Sequence, residues 1–498
     1  MSERWPWDGD PRSAYRPDEP YRLFIAGEWV TARAAFDAVD PAVGAAWAAV
    51  PEAGAEQVED AVAAARKAFA GWRRSSPETR QEALWRMADR IEADPDRWAV
   101  LLATEGGRPV REAYFSDVPA SVAALRLFSG LARGVRGEQV PVEDPHGLAY
   151  TVRAPLGVLA VLVSWNMPLV ALAEQIAPAL AAGNTVVVHP AAPASATVLE
   201  FARATEDLLP AGVLNVVTGA DARIAARLDA HPGALRIGVP DAPRPGGGTM
   251  IVFADADLDA AVTDALTGMC LAGGEAGAPP SRLLVQETVH EEFVGRLAAM
   301  VEAVVLGDPL DLSTELGPLI SDGRRERVRD AIRQAVAGGA RLVAGGEPPS
   351  LPPALAGGFF HAPALLAQEE GIGAAPPLLG PVAVAEPFAD ERVAVERVNA
   401  AGPGRAAGVW TADLARGHRI ARELDAGIVW INRWSDPPAG LPANAAGPGP
   451  AAGTEIGERM LARYSTAKII SVDLGSRRPA LWGGGAAPEQ KARAEGSE

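Results

Sequence analysis

The chain contains a single cysteine, Cys270, among its 498 residues. A thiolate is a strong nucleophile, but its reactivity depends on how far its surroundings lower the pKa of the thiol. Cys270 falls near the end of a helix-like stretch, Leu258 to Ala272, where a free cysteine is most often a small buried apolar residue. One cysteine excludes an internal disulfide, and the six histidines show no HxxxH or HxH spacing. We therefore expect a structural thiol and neither a disulfide scaffold nor a metal site.

Two loops close to this cysteine in sequence have unusual compositions. Glu275 is the only ionisable residue of the stretch from Gly273 to Pro280, and a lone loop glutamate is usually solvated. Three consecutive glycines from Gly246 precede a predicted strand and could cradle a phosphate, but no GxGxxG spacing leads from a strand into a helix. We expect both stretches to be surface loops.

Strands and helices alternate around these loops. Leu156 to Ser164 is a continuous apolar run with β-branched members, typical of a strand that is buried on both faces of a parallel sheet. Alternating helices and strands are predicted after it, at residues 174–182, 185–188, 194–208 and 213–217. This order is typical of a doubly wound α/β fold, and a second α/β pattern begins with Arg282 to Gln286.

Charge and hydropathy exclude several kinds of partner. The formal net charge is −17, which repels phosphate backbones, so a nucleic acid is not expected. The N-terminal residues contain no apolar stretch of signal-peptide length, and Leu156 to Val163 is far too short to span a bilayer. We expect no membrane partner and a cytoplasmic location.

Many short motifs resemble the aldehyde dehydrogenase superfamily, and they occur in the family's order along nearly the whole chain. They are Phe24-Ile-Ala-Gly-Glu-Trp-Val, Asp40-Pro-Ala-Val-Gly, Ser164-Trp-Asn-Met-Pro, Pro210-Ala-Gly-Val-Leu-Asn, Ile251-Val-Phe-Ala-Asp, Ser281-Arg, Gly307-Asp-Pro, Gly317-Pro-Leu-Ile, Gly380-Pro-Val, Val409-Trp-Thr-Ala-Asp and Trp430-Ile-Asn. The resemblance implies an α/β fold with a Rossmann-like domain, an α/β catalytic-type domain and oligomerisation β-strands.

The resemblance also implies a division of the chain. Residues 1–20 form an N-terminal arm, and residues 21–136 with 153–254 form the Rossmann-like domain, which is degenerate in its cofactor positions. Residues 255–447 form the catalytic-type domain, residues 137–152 with 458–474 form the oligomerisation segment, and residues 475–498 form a flexible tail.

The positions at which the family places its nucleophile and its base have changed. Counting back from Ser281-Arg282 puts the family's cysteine at Gly277, and ungapped counting from Ile251 puts its glutamate at Pro243. Neither residue can perform that chemistry. Cys270 lies seven residues before Gly277, about 10 Å along a helix, and does not replace it. Asn166 matches the asparagine of the oxyanion hole, although we expect it to cap a turn beside Pro168.

The positions that hold the family's nicotinamide cofactor, NAD or NADP, have changed as well. His189 and Ala192 stand where the family has the lysine and the glutamate that bind the adenosine ribose. Pro377 replaces the glutamate that binds the nicotinamide ribose. Only thirteen residues, Pro232 to Arg244, fill the interval where the family has a strand, a phosphate-binding turn and a helix. The sequence predicts that none of the three cofactor positions is intact and that no cofactor is bound.

These changes lead to three alternatives. The main prediction is a pseudoenzyme, a structural or regulatory subunit that forms a homo-oligomer or a hetero-oligomer with an active aldehyde dehydrogenase paralogue. The β-rich segment Ala467 to Val472, which in the family belongs to the oligomerisation region, supports it. The second is NAD(P)-dependent aldehyde oxidation. The third is cofactor-independent chemistry in the old substrate tunnel, which a buried Glu275 would favour.

Overall fold

A computed structural model describes residues 20–143, 146–220, 222–237, 248–275, 279–369, 380–400, 404–434 and 457–474. Its strands are β1 (Leu23–Ile25), β2 (Glu28–Val30), β3 (Ala34–Asp40), β4 (Ala45–Glu52), β5 (Gln139–Val140), β6 (Gly147–Pro155), β7 (Val158–Val163), β8 (Thr185–Pro190), β9 (Leu214–Val216), β10 (Leu235–Ile237), β11 (Gly248–Val252), β12 (Pro280–Gln286), β13 (Arg341–Gly345), β14 (Ala364–Ala367), β15 (Val382–Phe388), β16 (Gly404–Trp410), β17 (Ala426–Ile431) and β18 (Ser465–Asp473).

Helices connect most of these strands. They are α1 (Ala55–Trp72), α2 (Pro77–Glu92), α3 (Pro95–Gly106), α4 (Val110–Glu112), α5 (Val118–Leu131), α6 (Pro168–Ala181), α7 (Ser195–Thr205), α8 (Ala222–Asp229), α9 (Leu258–Cys270), α10 (Glu287–Ala303), α11 (Asp322–Ala337), α12 (Glu391–Ala400), α13 (Leu414–Glu423) and α14 (Glu458–Arg463). Among the described helices, none is long and apolar enough to cross a bilayer.

The first sheet has the strand order β10-β7-β8-β9-β1-β2. Its first four strands are parallel, as the buried run at β7 predicts, and β1 pairs antiparallel with β9. Leu159 and Val161 pack on one face of the sheet against α6 and α7, whereas Val158 and Ala160 pack on the other face with α1. Alternate residues of one strand therefore enter two separate cores.

The second sheet has the order β13-β14-β15-β12-β11-β16-β17 and is parallel except for β13. One of its cores contains Val252, Met269 and Phe293, from β11, α9 and α10. The predicted domain boundary at residue 254 falls after β11, but β11 pairs within this second sheet, so the change of sheet comes before Gly248. The α/β fold with two sheets of this kind confirms the predicted fold class.

The third sheet is antiparallel and has the order β18-β6-β5. β18 and β6 pair along nine residues, from Ser465 opposite Pro155 to Asp473 opposite Gly147. In the described chain β18 lies at the edge of this sheet, and β3 and β4 form a separate two-stranded hairpin.

Capping residues fix where the two helices next to the candidate site begin. The side chain of Asp257 accepts a hydrogen bond from the backbone N–H of Ala260, which starts α9. In the same way the Ser321 hydroxyl accepts one from the backbone N–H of Arg324 at 3.2 Å, which starts α11. These caps place Cys270 at the end of α9 and Arg324 in the first turn of α11.

Candidate functional site

The side-chain amide of Asn166 reaches across the molecule instead of capping its own turn. The residue follows β7, and Met167 next to it takes a left-handed conformation with φ of +49° before α6 begins at Pro168. This turn directs the Asn166 amide toward the end of α9, where Nδ2 donates to the backbone carbonyl oxygen of Glu275. The prediction of a turn cap is therefore wrong, because a partner 109 residues away in sequence takes the donor.

The short segment that carries this carbonyl, residues 271–275, is wound left-handed. Ala272, Gly273 and Gly274 have φ of +53°, +66° and +70°. A side chain on Gly274 would meet the backbone of Gly380 at 2.2 Å, so only glycine fits there. For Ala272 the left-handed conformation is strained, and such strain persists only where the surroundings hold it. We call residues 271–275 the left-handed segment.

Hydrogen bonds from three other parts of the chain hold the left-handed segment in place. The Glu112 carboxylate accepts from the backbone N–H of Ala272 at 2.8 Å. The N–H of Gly380 donates to the carbonyl of Gly274 at 3.0 Å, and Asn166 donates to the carbonyl of Glu275. These contacts come from α4, from the start of β15 and from the turn before α6, so the segment is fixed along its length.

The carboxyl group of Glu275 is buried, which contradicts the prediction of a solvated loop glutamate. Its side chain is 4% exposed, and its Oε1 lies 3.1 Å from Nε of Arg324. The Arg324 guanidinium lies over the ring of Trp165, 5.5 Å from its centroid. Burial raises the pKa of Glu275 to about 8, although Arg324, the backbone N–H of Ile320 and Arg108 all favour the charged form. Arg324 is 49 positions further along the chain, so local sequence could not reveal this partner.

A small cavity adjoins Glu275. It has a volume of about 20 Å³, and Trp165, Asn166, Gly273 and Arg108 are among the residues that line it. Such a volume accommodates about one water molecule. Arg108 is itself buried and forms ion pairs with Glu112 at 2.5 Å and Asp117 at 2.9 Å. Charged groups therefore surround the Glu275 carboxyl, and the cavity beside it is too small for an organic substrate.

Cys270 faces a different and much larger cavity of about 550 Å³. Leu266, Leu271, Phe115 and Glu315 are among the residues that line it. Burial, together with the carboxylates of Glu112 and Glu315, raises the pKa of the thiol to about 12. A raised pKa disfavours nucleophilic attack by the thiol, although the Cys270 side chain is partly exposed.

The three positions Pro243, Gly277 and Pro377 lie outside the described residues, but their neighbours show where two of the three segments lead. β11 and β12, which follow Pro243 and Gly277 in the chain, are adjacent parallel strands. The N–H of Gly248 donates to the carbonyl of Pro279 at 2.6 Å. Both segments therefore enter the second sheet at the same end. The roles that the resemblance assigns to Pro243, Gly277 and Pro377 stay predictions from the sequence.

Two of the predicted cofactor positions are described. His189 is buried in β8, and its Nδ1 lies 2.9 Å from the carbonyl oxygen of Val217, while Ala192 ends in a methyl group in the turn before α7. Neither presents the ammonium or the carboxylate that the resemblance implies for the adenosine ribose. The strand of the shortened interval is present as β10, and the ten residues 238–247 between β10 and β11 lie outside the described residues. Within the described residues, His, Cys, Asp and Glu form no metal-binding group of three or more.

Comparisons with known proteins agree with this architecture. The family model "Aldehyde dehydrogenase family" matches residues 29–238 and 244–470, and its interruption falls within the shortened interval. A (Z)-2-((N-methylformamido)methylene)-5-hydroxybutyrolactone dehydrogenase of Acinetobacter baylyi is 34% identical over 84% of this chain and 89% of its own. A 2-hydroxymuconic semialdehyde dehydrogenase of Pseudomonas sp. (strain CF600) is 36% identical over 82% of this chain and 91% of its own.

Solved structures show the same similarity. The crystal structure of PnpE in complex with nicotinamide adenine dinucleotide superimposes with a TM-score of 0.84 at 30% identity, and covers 92% of this chain and 99% of that one. The fold is thus that of the aldehyde dehydrogenases, with one Rossmann-like sheet and a second α/β sheet. This chain belongs to the aldehyde dehydrogenase family, a family of oxidoreductases.

The comparisons contradict the prediction that no cofactor is to be expected. PnpE, which shares this fold over almost its entire length, has been solved with nicotinamide adenine dinucleotide bound. The prediction rested on single side chains. However, β7, β8 and β9 still form a parallel sheet of the kind on which such cofactors bind. The family membership makes nicotinamide cofactors the class of ligand to consider.

Proposed function

We propose that this chain is an aldehyde dehydrogenase family member without thiol-dependent catalysis, which acts as a structural or regulatory subunit in an assembly with itself or with an active paralogue. One observation supports the proposal most directly. The Asn166 amide, which the resemblance assigns to an oxyanion, is bound to the carbonyl of Glu275. A donor that is committed to the protein backbone is withheld from a substrate oxygen.

The sequence supports the same proposal through the nucleophile. Thiol-dependent aldehyde oxidation needs a thiolate at the reacting carbon, and the family's position for it holds Gly277. The remaining thiol, Cys270, lies at the end of α9 in an environment that opposes its ionisation. The base position holds Pro243, which cannot take up a proton from water. Nucleophile, base and oxyanion donor are thus each unsuited to the reaction.

The edge strand β18 supports the assembly part of the proposal. Its side chains are mostly exposed, and Ile469 is 72% exposed. Nine residues of β18 pair with β6 on one side, and in the described chain the other side is an edge. An exposed edge with apolar side chains favours pairing with another chain. The exposed side chains and the open edge of β18 therefore fit a strand that is covered in an oligomer.

A second candidate function is NAD(P)-dependent aldehyde oxidation, and the comparisons favour it over the first. Both curated relatives named above are dehydrogenases, and this chain covers 89% and 91% of their lengths. A bound nicotinamide would accept a hydride from the substrate. His189 and Ala192, however, carry neither the ammonium nor the carboxylate that the family uses to bind the adenosine ribose, so these two residues do not fit the cofactor.

The third alternative, cofactor-independent chemistry at Glu275, meets a steric difficulty. The carboxyl is buried, as that alternative requires, and burial raises its pKa to about 8. However, the cavity that adjoins it, about 20 Å³, holds no organic substrate. Of the described groups, Arg324 and Arg108 attract the carboxylate, and neither forms an acid–base pair with it at neutral pH.

One experiment separates the two main candidates. The purified chain is incubated with NAD and NADP and with a panel of aldehydes, and reduced cofactor is followed by its absorbance. In parallel, native mass spectrometry measures its assembly alone and with its intact paralogue. The first candidate predicts assembly without turnover, and the second predicts turnover that is lost when Cys270 is replaced by alanine.

A further inference from the structure

The cavity beside Cys270 is large enough for a small organic molecule. Its volume of about 550 Å³ falls within the range of sites that bind such molecules, about 300–1,000 Å³. The apolar part of its wall consists of the side chains of Phe115, Leu266, Leu271, Val304 and Leu312. Among the described residues, it shares none with the small cavity beside Glu275. A ligand bound here would therefore lie apart from Asn166.

One side of this cavity is formed by an irregular turn of helix. Residues Ala113–Asp117 form a π-helical turn between α4 and α5, and such turns occur frequently at functional sites. The turn buries Ala113 and Asp117, whereas Phe115 lines the cavity with 61% of its side chain exposed. An exposed phenylalanine leaves apolar surface in contact with water, and a ligand that covers this surface gains free energy.

The charged residues of the wall are already paired within the protein. Glu112 forms an ion pair with Arg108 at 2.5 Å. The guanidinium of Arg111 lies 3.6 Å from the carboxylate of Glu315, which also accepts a hydrogen bond from the N–H of Val305 at 3.1 Å. Among the lining residues that the structure describes, each charge thus has an opposite charge beside it. A charged ligand would lose its hydration here without gaining an uncompensated partner, which disfavours it.

We propose that the cavity beside Cys270 binds an uncharged, largely apolar molecule that carries a hydroxyl group. The apolar body packs on Phe115, and the hydroxyl binds between Arg111 and Glu315, whose side chains are both 42% exposed. An alcohol both donates and accepts, so it bonds to both members of this pair, whereas an aldehyde only accepts. The inference goes beyond the proposed function, since it holds whether or not the chain catalyses a reaction.

Equilibrium dialysis of the full chain with 1-naphthalenemethanol, an uncharged aromatic alcohol, tests the class of ligand at pH 7.5. Three analogues of similar size are compared with it: 1-naphthoate is an anion, 1-naphthylmethylammonium is a cation, and 1-naphthaldehyde lacks the donor. We expect the alcohol to bind with a dissociation constant below about 1 mM. The two ions should bind roughly tenfold more weakly, because each would bury a charge, and the aldehyde should bind about threefold more weakly.

Cys270 shows whether the alcohol occupies this cavity. Its side chain is partly exposed and lines the cavity, so a molecule bound there covers the thiol. The chain is treated with methyl methanethiosulfonate with and without the alcohol, and mass spectrometry follows modification of its single cysteine. Alcohol at about ten times its dissociation constant should slow the modification about tenfold, since only the unoccupied fraction reacts.

Two exposed threonines on α9 provide matched variants. Thr267 lines the cavity, whereas Thr263, one turn earlier, is not among the described residues that line it. Each hydroxyl donates to the carbonyl four residues before it at 2.8 Å, so the two residues have similar surroundings within the helix. Thr267→Trp should fill the cavity and weaken binding of the alcohol in dialysis about tenfold or more. Thr263→Trp should bind it like the wild type.

Failure of the alcohol to bind the wild type at millimolar concentration would overturn the proposal. So would equal weakening by the two tryptophan variants. An alcohol that binds in dialysis but leaves the rate of Cys270 modification unchanged would lie elsewhere, which also contradicts the proposal. Tighter binding of either ion or of the aldehyde would contradict the assigned class of ligand. The measurements on the wild type decide the matter even if Thr267→Trp fails to fold.

Discussion

The side-chain amide of Asn166 donates a hydrogen bond to the backbone carbonyl oxygen of Glu275, across 109 positions of sequence. This bond joins the turn after β7 in the first sheet to the segment after α9, which packs on the second sheet. A residue type that could stabilise a developing oxyanion is thereby used to hold two parts of the fold together.

Replacing Asn166 with leucine should lower the free energy of unfolding by about 1–3 kcal/mol, because the carbonyl of Glu275 would lose its donor in a buried setting. Urea denaturation followed by circular dichroism measures the change. Gln139→Leu is the control, since Gln139 is an exposed residue of β5. Equal stability of Asn166→Leu and wild type would show that the amide does not hold the segment.

If the proposed function is right, introducing a thiol in Gly277→Cys should not produce aldehyde oxidation, because the position that the resemblance assigns to the base holds Pro243 and the Asn166 amide is already bound. The assay is formation of reduced NAD or NADP with aliphatic and aromatic aldehydes. The double variant Gly277→Cys with Cys270→Ala controls for the native thiol. Steady-state turnover in Gly277→Cys would mean that the nucleophile alone was missing.

The stability of the protein should depend on pH through Glu105. This buried carboxylate accepts hydrogen bonds from the backbone N–H groups of Ala196 and Thr197 at 2.7 and 2.8 Å, at the start of α7. Burial raises its pKa to about 7, although the hydroxyl and N–H of Thr197 and the N–H of Ala196 oppose this shift.

Because the native pKa of Glu105 is raised, its contribution is complete below pH 4.5 and declines as the pH rises through about 7. The stability difference between wild type and Glu105→Gln should therefore shrink from pH 5 to about pH 7, by on the order of 1 kcal/mol per pH unit, and should stay constant above that pH. Urea titrations at four pH values measure it. Glu302→Gln should give a constant difference, and a difference for Glu105→Gln that grows with pH would contradict the assignment.

Introducing a charge at the edge strand, in Ile469→Asp, should dissociate the assembly while leaving the fold of each chain intact. Ile469 is 72% exposed in the single chain, so its loss costs little unless a partner covers it. Light scattering after size-exclusion chromatography at micromolar concentration gives the mass. Leu414→Asp is a matched control, with a leucine 59% exposed at the start of α13. A wild-type chain that is monomeric alone and with its intact paralogue would rule out the assembly.

The sequence predicted the framework well because apolar patterns are local. The run from Leu156 to Ser164 contains β7, and the strand predicted at residues 185–188 lies within β8. Ends of elements were less predictable. α6 begins at Pro168 and not at residue 174, because a proline in the first turn continues the left-handed turn at Met167 directly into a helix.

The candidate site could be predicted only in part, since its contacts join distant segments. The place of Cys270 at the end of a helix could be predicted, whereas the nearby carboxylates that help to raise the pKa of its thiol come from distant parts of the chain. The burial of Glu275 depends on Arg324 and on the turn at Asn166, and no periodicity reports such contacts. The prediction about the cofactor was wrong for a related reason, because the parallel sheet of β7, β8 and β9 is retained although single contact residues differ.

The central claim is the absence of thiol-dependent aldehyde oxidation, and steady-state assay of the purified wild-type chain tests it most directly. The chain is incubated with NAD or NADP and with aldehydes that include acidic semialdehydes, and Cys270→Ala is assayed beside it. We predict no formation of reduced cofactor above that of the Cys270→Ala variant. Turnover of the wild type that disappears in Cys270→Ala would contradict the account.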